Sequence, residues 1–232
     1  MKNSKNFYCL LLFVFTAHLS FAQSKVRCAG IEYIIPKFKA DTIVSFNNKF
    51  VKDSILTSIK DSNYDIEIRY NFYGAFGWWP NEGHCLVIRG NKDSLFAIDY
   101  FLKAPELVRT KETGTIIHKY DFNGHHIKLF VRKLHPDKPL SAMLQSLIDN
   151  HITDLPADEA IISMLKNKNV KLKEYDATDC CANLIIEVKV KNHFRNFDTN
   201  YYYQAYNQNI KELKYESGID SVFYQLIPNL FQ

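Results

Sequence analysis

The most regular pattern of hydrophobic and polar positions lies in residues 64–72, where the two kinds of side chain alternate without a break. The hydrophobic positions are Tyr64, Ile66, Ile68, Tyr70 and Phe72, and the polar positions between them are Asp65, Glu67, Arg69 and Asn71. Because successive side chains of a strand point to opposite faces, the pattern predicts a strand with one buried face and one face in water. A sheet that is wet on one side is typical of antiparallel pairing.

Shorter hydrophobic runs predict further strands along the chain. These runs cover residues 31–35, 42–46, 84–89, 95–102, 170–175 and 184–191, although the run at 95–102 also fits a helix. Hydrophobic residues at helical spacing predict helices over residues 50–60, 140–150, 156–166 and 219–227. Residues 201–213 fit a helix slightly better than a strand.

The pair Asn123-Gly124 predicts a β-hairpin between residues 115–122 and 125–132, because both central residues of the tight turn must take positive φ. In this register Phe122 pairs with His125. One face then carries mainly hydrophobic residues: Ile116, His118, Tyr120, Phe122, His125, Ile127, Leu129 and Val131. The hairpin register therefore directs most polar residues of the two strands to the other face.

The sequence predicts an α+β fold, with an antiparallel β-sheet and helices packed on one face of it. The sheet region is expected over residues 23–135, and a region of helices and a β-hairpin over residues 136–232. The break between them is the segment 135–139, which contains two prolines. We expect the two regions to pack together as one globular unit, since the chain has ample hydrophobic material for a core.

Residues 1–22 have the pattern of a secretory signal peptide. Lys2 and Lys5 precede an apolar run over residues 7–19, and Ser20 and Ala22 place small residues where a signal peptidase needs them. Cleavage before Gln23 would release an exported protein, periplasmic or secreted, and an uncleaved anchor is the alternative. No later stretch is long and apolar enough to predict a membrane span.

The charge of the mature chain argues against a nucleic-acid partner. Cleavage removes two lysines and no acidic residue, so the formal net charge of +4 falls to +2. Such a balanced chain has no electrostatic signature of nucleic-acid binding.

Four cysteines remain after cleavage, namely Cys28, Cys85, Cys180 and Cys181. An even number of cysteines in an exported chain predicts disulfides. Adjacent cysteines rarely pair with each other, so a bridge is expected from Cys180 or Cys181 to Cys28 or Cys85. The alternative is four buried free thiols, which pack as small hydrophobic side chains.

The segment after residue 72 contains both tryptophans of the chain. Its aromatic residues are Tyr73, Phe76, Trp78 and Trp79, and they lie among three glycines and a proline. Long loops in compact domains are often functional, so these four residues are the candidate ligand-binding surface. Their flat faces suit a sugar, a peptide or an apolar ligand, and the alternative is that they fold back to cap the core.

Two groups of residues could carry chemistry. Glu82, His84 and Cys85 include a general base and a nucleophile, although their spacing matches no metal-binding motif. His118, His125 and His126 are better explained as structural residues, because His125 and His126 point to opposite faces of a strand.

The function predicted from the sequence is therefore that of an exported, non-enzymatic binding or interaction module that uses the aromatic loop. Its partner would be a protein, a peptide or a glycan, and no cofactor, metal or nucleic acid is expected. The alternatives are an exported hydrolase with a site around Glu82, His84 and Cys85, and a structural protein of the cell envelope. No phosphate-binding loop, nucleophile elbow or zinc-protease motif is present in the sequence.

Overall fold

The fold is seen in a computed structural model that describes residues 24–39, 49–52, 54–73, 83–103, 115–122, 125–171, 183–200, 207 and 209–227. For residues 49, 73, 103, 115–122, 125–127, 183 and 200, only the backbone is described. The predicted signal peptide and the predicted strand at 42–46 lie outside these ranges.

The described residues contain nine strands and four α-helices. The strands are β1 (Ser24–Cys28), β2 (Ile31–Ile35), β3 (Ile66–Tyr73), β4 (Gly83–Asn91), β5 (Ser94–Lys103), β6 (Thr115–Phe122), β7 (His125–Leu134), β8 (Asn183–Val190) and β9 (His193–Asn200). The helices are α1 (Lys49–Lys52), α2 (Leu140–Asp149), α3 (Asp158–Asn167) and α4 (Lys211–Leu226), and Ile59–Asp61 forms a turn of 3-10 helix.

Seven of the strands form one antiparallel sheet in the order β6-β7-β5-β4-β3-β8-β9. Strands β1 and β2 form a separate antiparallel hairpin. The predicted α+β fold with an antiparallel sheet is confirmed. Because β8 pairs with β3, strands from both predicted regions belong to the same sheet.

Helices α2 and α4 cover one face of the sheet, which we call the helix face. It carries the hydrophobic positions of β3, and they pack in one core with residues of α2, α4 and the β1–β2 hairpin. Tyr70 of β3 stacks on Phe223 of α4, with ring centroids 4.4 Å apart, and its hydroxyl donates a hydrogen bond to Asp220 Oδ1 over 3.1 Å. Burial, followed by the charge of Asp220, raises the pKa of Tyr70 well above its usual value, so the phenol keeps the proton that it donates.

The opposite face of β3 is not in water, contrary to the prediction from its alternating pattern. Glu67, Arg69 and Asn71 are fully buried. Residues 50–52 and 54–62 lie over this face, and Phe50 and Leu56 pack there. Polar side chains can be buried in this way when they are paired and hydrogen-bonded.

An ion-pair network joins this covering segment to the sheet. Arg69 donates from Nε to Glu67 Oε1 over 2.7 Å and from Nη2 to the carbonyl oxygen of Thr57 over 2.8 Å. Arg89 of β4 donates to the same Glu67 oxygen over 3.1 Å. Burial alone would raise the pKa of Glu67, but the charges of Arg69 and Arg89 hold that pKa below its usual value.

The single helix predicted over residues 50–60 is wrong. Helix α1 ends at Lys52, and Ser54 has a φ of 59°, which a right-handed helix does not allow. The backbone amides of Ile55 and Leu56 then both donate to the carbonyl oxygen of Phe50. Phe50, Ile55 and Leu56 are at helical spacing in the sequence, but a tight turn and not a continuous helix brings them against the sheet.

The predicted hairpin register is confirmed near its turn, where Phe122 pairs with His125 and Asp121 with His126. A β-bulge between Ile116 and His118 then shifts the pairing, so that Ile116 lies opposite Phe130 and not opposite Val131. A bulge adds one residue to one strand and exchanges the faces beyond it, which the alternating pattern does not reveal. Asn123 and Gly124 themselves lie outside the described residues.

The second half of the chain differs more from the prediction. Strand β8, helix α2 and helix α3 lie close to the predicted ranges, but the hairpin partner of β8 is β9, over the residues 193–200 that had no strand prediction. Val170 and Lys171 are not in a strand, and the rest of the predicted strand 170–175 lies outside the described residues. Helix α4 begins at Lys211, eight residues earlier than predicted, and continues through Gly218.

Gly218 lies inside α4, in the gap between the segments 201–213 and 219–227 for which the sequence predicts helix. A Cβ atom at Gly218 would lie 2.1 Å from Oδ1 of Asn150, the residue that follows α2. Glycine therefore allows α4 to approach α2 closely, although it lowers the intrinsic helix propensity at that position.

Candidate functional site

The two ends of the seven-stranded sheet differ in their connections. At one end the strands are joined by short turns, at residues 92–93 between β4 and β5 and at 191–192 between β8 and β9. At the other end β3 finishes at Tyr73, β4 starts at Gly83 and β5 finishes at Lys103, and the long connections 74–82 and 104–114 leave the sheet there. We call this the loop end.

The predicted aromatic loop leaves from the centre of the sheet at the loop end. Tyr73, the last residue of β3, pairs with Gly83, the first residue of β4. β4 is the central strand of the seven, and β3 is its neighbour. Phe76, Trp78 and Trp79 lie outside the described residues, as does the side chain of Tyr73.

A buried carboxylate on β5 contacts side chains of both neighbouring strands close to this loop. Asp99 of β5 is fully buried on the helix face. Its Oδ1 lies 2.9 Å from Nδ1 of His84 on β4. Its Oδ2 accepts a hydrogen bond from Nε of Arg132 on β7 over 2.9 Å and lies 2.8 Å from Nη2 of the same ion-paired side chain. Because an ionised carboxylate only accepts hydrogen bonds, Nδ1 of His84 carries a proton and Nε2 is the atom left for other contacts.

Aromatic rings form a row across four strands next to this carboxylate. Phe130 of β7 stacks on Phe101 of β5 at 4.9 Å, Phe101 stacks on His84 at 5.4 Å, and Phe72 of β3 lies 6.3 Å from His84. The guanidinium of Arg132 lies 4.7 Å from the centre of the Phe101 ring. The side chain of His84 is 15% exposed and that of Arg132 is 26% exposed. Both therefore reach the surface, while the Asp99 carboxylate that they contact is fully buried.

Two of the residues proposed for a hydrolase, His84 and Cys85, do not come together in the structure. His84 and Cys85 are neighbours in β4, so their side chains lie on opposite faces, and Cys85 packs in the cluster with Phe50 and Leu56. Burial, followed by the nearby charge of Glu187, raises the pKa of the Cys85 thiol well above its usual value. A buried protonated thiol is a poor nucleophile. Glu82 lies outside the described residues.

The disulfide predicted from Cys28 or Cys85 is not present in the structure, where both are buried free thiols. Cys28 packs in the core of the helix face, and a Cβ atom at Gly90 would lie 2.8 Å from its sulfur. Cys28 and Cys85 fill spaces in separate clusters on opposite faces of the sheet, as small hydrophobic side chains do. Cys180 and Cys181 lie outside the described residues.

The candidate histidines of the hairpin are placed by their backbone alone. His118 pairs with Leu129, and His125 and His126 pair with Phe122 and Asp121. No three histidine, cysteine or acidic side chains converge as metal ligands would, within the ranges that the structure describes. None of the helices in those ranges has the length and hydrophobicity to cross a lipid bilayer.

His84 is a candidate site residue in the sequence, whereas Asp99 and Arg132 were not predicted to belong to the site. One signal was available, since Asp99 is the only charged residue in the hydrophobic run of residues 95–102. A lone carboxylate in a buried strand requires partners, and the partners must come from neighbouring strands. The pairing of β5 with β4 and β7, which supplies them, cannot be read from the run itself.

Comparison with known proteins finds no relative of the chain. No protein-family model, curated protein or solved structure matches it. The site is therefore interpreted from its own geometry.

Proposed function

We propose that this protein is an exported, non-enzymatic binding module whose ligand-contacting surface is the aromatic loop with Tyr73, Phe76, Trp78 and Trp79. The observation that carries the proposal is the position of this loop. It connects β4, the central strand, with β3 at the end of the sheet where the long connections leave. Binding residues are often carried on loops that a rigid scaffold positions.

The sheet beneath the loop supports this role. His84 follows the first residue of β4 and is fixed by Asp99 on one side and by the Phe101 ring on another. His84 therefore lies in a packed and hydrogen-bonded part of β4, next to the point where the loop rejoins the sheet. Export is proposed from residues 1–22 alone.

An exported hydrolase is the less supported alternative. The hydrogen bond from His84 to Asp99 orients the imidazole as a general base would require. A nucleophile or an activated water would also be needed, and Cys85 is buried on the other face. The burial and raised pKa of Cys85 therefore give it no support as the nucleophile of such a hydrolase.

The proposal is tested by probing arrays of glycans and peptides with the purified mature protein. Ligands found in this way are then titrated with Trp78→Ala, Trp79→Ala and the control Phe194→Ala, which removes an exposed aromatic ring from β9. We expect the tryptophan variants to fold normally and to lose most of the affinity, and Phe194→Ala to retain it. Equal affinity for all three variants would reject the loop as the binding surface.

A further inference from the structure

His84 and Arg132 each present a polar atom to the solvent beside the buried carboxylate of Asp99. Nδ1 of His84 and Nε and Nη2 of Arg132 face Asp99, which leaves Nε2 of the imidazole and Nη1 of the guanidinium. These two atoms make no hydrogen bond to any residue that the structure describes, and neither belongs to its buried unpaired polar atoms. Both atoms are therefore accessible to a ligand.

The two side chains are held in place by their own contacts. The imidazole of His84 stacks on the ring of Phe101, with 5.4 Å between the ring centroids and 12° between the ring planes. The guanidinium of Arg132 lies 4.7 Å from the centre of the same ring. Asp99 contacts both side chains from below. Because these contacts already restrict the rotamers of His84 and Arg132, a ligand would have little further side-chain entropy to remove.

The hydrogen-bonding groups of the two side chains are complementary. Because Nδ1 of His84 carries the proton that faces Asp99, Nε2 of the neutral imidazole accepts a hydrogen bond. Nη1 of Arg132 can only donate, and the charge of Arg132 is compensated by Asp99, with 2.8 Å between Nη2 and Oδ2. A matching ligand therefore donates to Nε2 and accepts from Nη1. A carboxylate only accepts and an ammonium group only donates, so each would leave one of the two atoms unsatisfied.

Sugar hydroxyls meet both requirements, because each hydroxyl donates one hydrogen bond and accepts others. A peptide backbone also has donors and acceptors, but peptides commonly use them to extend a sheet at its edge. Strands β4 and β7, which carry His84 and Arg132, are interior strands of the seven-stranded sheet, so no free edge adjoins the two side chains. Only β5 separates these strands, and the two side chains are therefore attached about 10 Å apart, within reach of one short oligosaccharide.

We infer that His84 and Arg132 bind hydroxyl groups of an uncharged oligosaccharide, with His84 as the acceptor and Arg132 as the donor. Asp99 is a positioning residue, because it orients both side chains without reaching the surface. This inference rests on the proposed binding function and specifies its ligand class.

The test is calorimetric titration of the mature protein with three neutral oligosaccharides: cellohexaose, maltohexaose and chitohexaose. We expect at least one of them to bind, with the same affinity in low and in high salt, because the ligand carries no charge for salt to screen. Arg132→Lys keeps the charge beside Asp99 but removes the planar fork, and His84→Phe keeps a stacked ring but removes Nε2. Each variant should lower the affinity roughly tenfold, as expected for the loss of one hydrogen bond to the ligand.

Lys133→Gln is the matched control, because Lys133 follows Arg132 on β7 and is exposed on the opposite face of the sheet. It should retain the affinity of the wild type. Thermal melts establish whether each variant is folded. If a variant does not fold, NMR of the wild type decides, since the nitrogen resonance of His84 Nε2 should shift as the oligosaccharide is added. An unchanged resonance would overturn the inference.

Three further results would overturn it: no binding of the three oligosaccharides, tighter binding of polygalacturonate or of an array peptide through the same two residues, and an equal loss of affinity in Lys133→Gln. If the oligosaccharides do not bind but an array peptide binds in a way that depends on Trp78 and Trp79, the inference is wrong and the proposed function stands. If oligosaccharide binding depends on His84 and Arg132 but on neither tryptophan, the inference stands and the aromatic loop is not the binding surface.

Discussion

Arg69 and Glu67 form an ion pair inside the protein, with 2.7 Å between Nε and Oε1 and no exposure of either side chain. The two residues are two positions apart on β3, on the face that the alternating pattern assigned to water. Their burial links the sheet to the segment 50–62, because Arg69 also donates to the carbonyl oxygen of Thr57.

Arg69→Met should destabilise the fold strongly. It leaves Glu67 buried with Arg89 as its remaining cationic partner, and breaking a buried ion pair costs roughly 3–5 kcal/mol. Urea denaturation measures the change in the free energy of unfolding. The control is Lys25→Met, which breaks the exposed pair of Lys25 and Glu32 and should cost far less, since water screens exposed pairs. Equal losses in the two variants would show that the buried network does not stabilise the fold.

The same ion pair shows where sequence reasoning succeeds and where it stops. Alternation over residues 64–72 predicted a strand, and β3 is that strand, because the period of two is a local property of an extended backbone. Whether the polar face meets water depends on what covers it. The cover is a segment whose hydrophobic residues also fit a helix, so the burial of Glu67 and Arg69 was not predictable from β3 alone.

The residues of the candidate site also differ in whether the sequence alone predicts them. His84 and the aromatic residues of the loop stand out in the sequence because their residue types suit chemistry or binding. Asp99 and Arg132 take their significance from a pairing of β5 with β4 and β7 that joins residues far apart in the chain.

Asp158 should make stability depend on pH. It is 6% exposed in the first turn of α3, and burial, followed by the charges of Asp198 and Glu159, raises its pKa from 3.8 to about 7. The folded protein therefore binds a proton more tightly than the unfolded chain does. Stability from this group is fully present below about pH 4 and declines as the pH rises to about 7.

Asp158→Asn should remove this dependence. We expect the variant to be more stable than the wild type by about 2–4 kcal/mol at pH 8, with little difference at pH 4. Thermal or urea denaturation at the two pH values measures this, and Asp137→Asn, at an exposed position, serves as the control. A wild type that gains stability relative to Asp158→Asn as the pH rises would contradict the burial argument.

The thiols of Cys28 and Cys85 should be unreactive in the native protein. Burial, followed by the charge of Asp65, raises the pKa of Cys28 to about 11, and burial raises the pKa of Cys85 well above its usual value. Iodoacetamide at pH 8 should leave both unmodified in buffer and alkylate both in urea, as read by peptide mass mapping. Alkylation of either cysteine in the native state, or a disulfide to Cys180 or Cys181, would contradict the structure.

The central claim is that the aromatic loop of residues 73–79 is a binding surface, and tryptophan fluorescence tests it most directly. Trp78 and Trp79 are the two tryptophans of the chain, so the emission reports on this loop alone. We expect acrylamide to quench the tryptophan emission of the native protein efficiently and a bound ligand to protect it from quenching. A blue-shifted emission that resists acrylamide in the free protein would mean that both rings are buried, and it would contradict the claim.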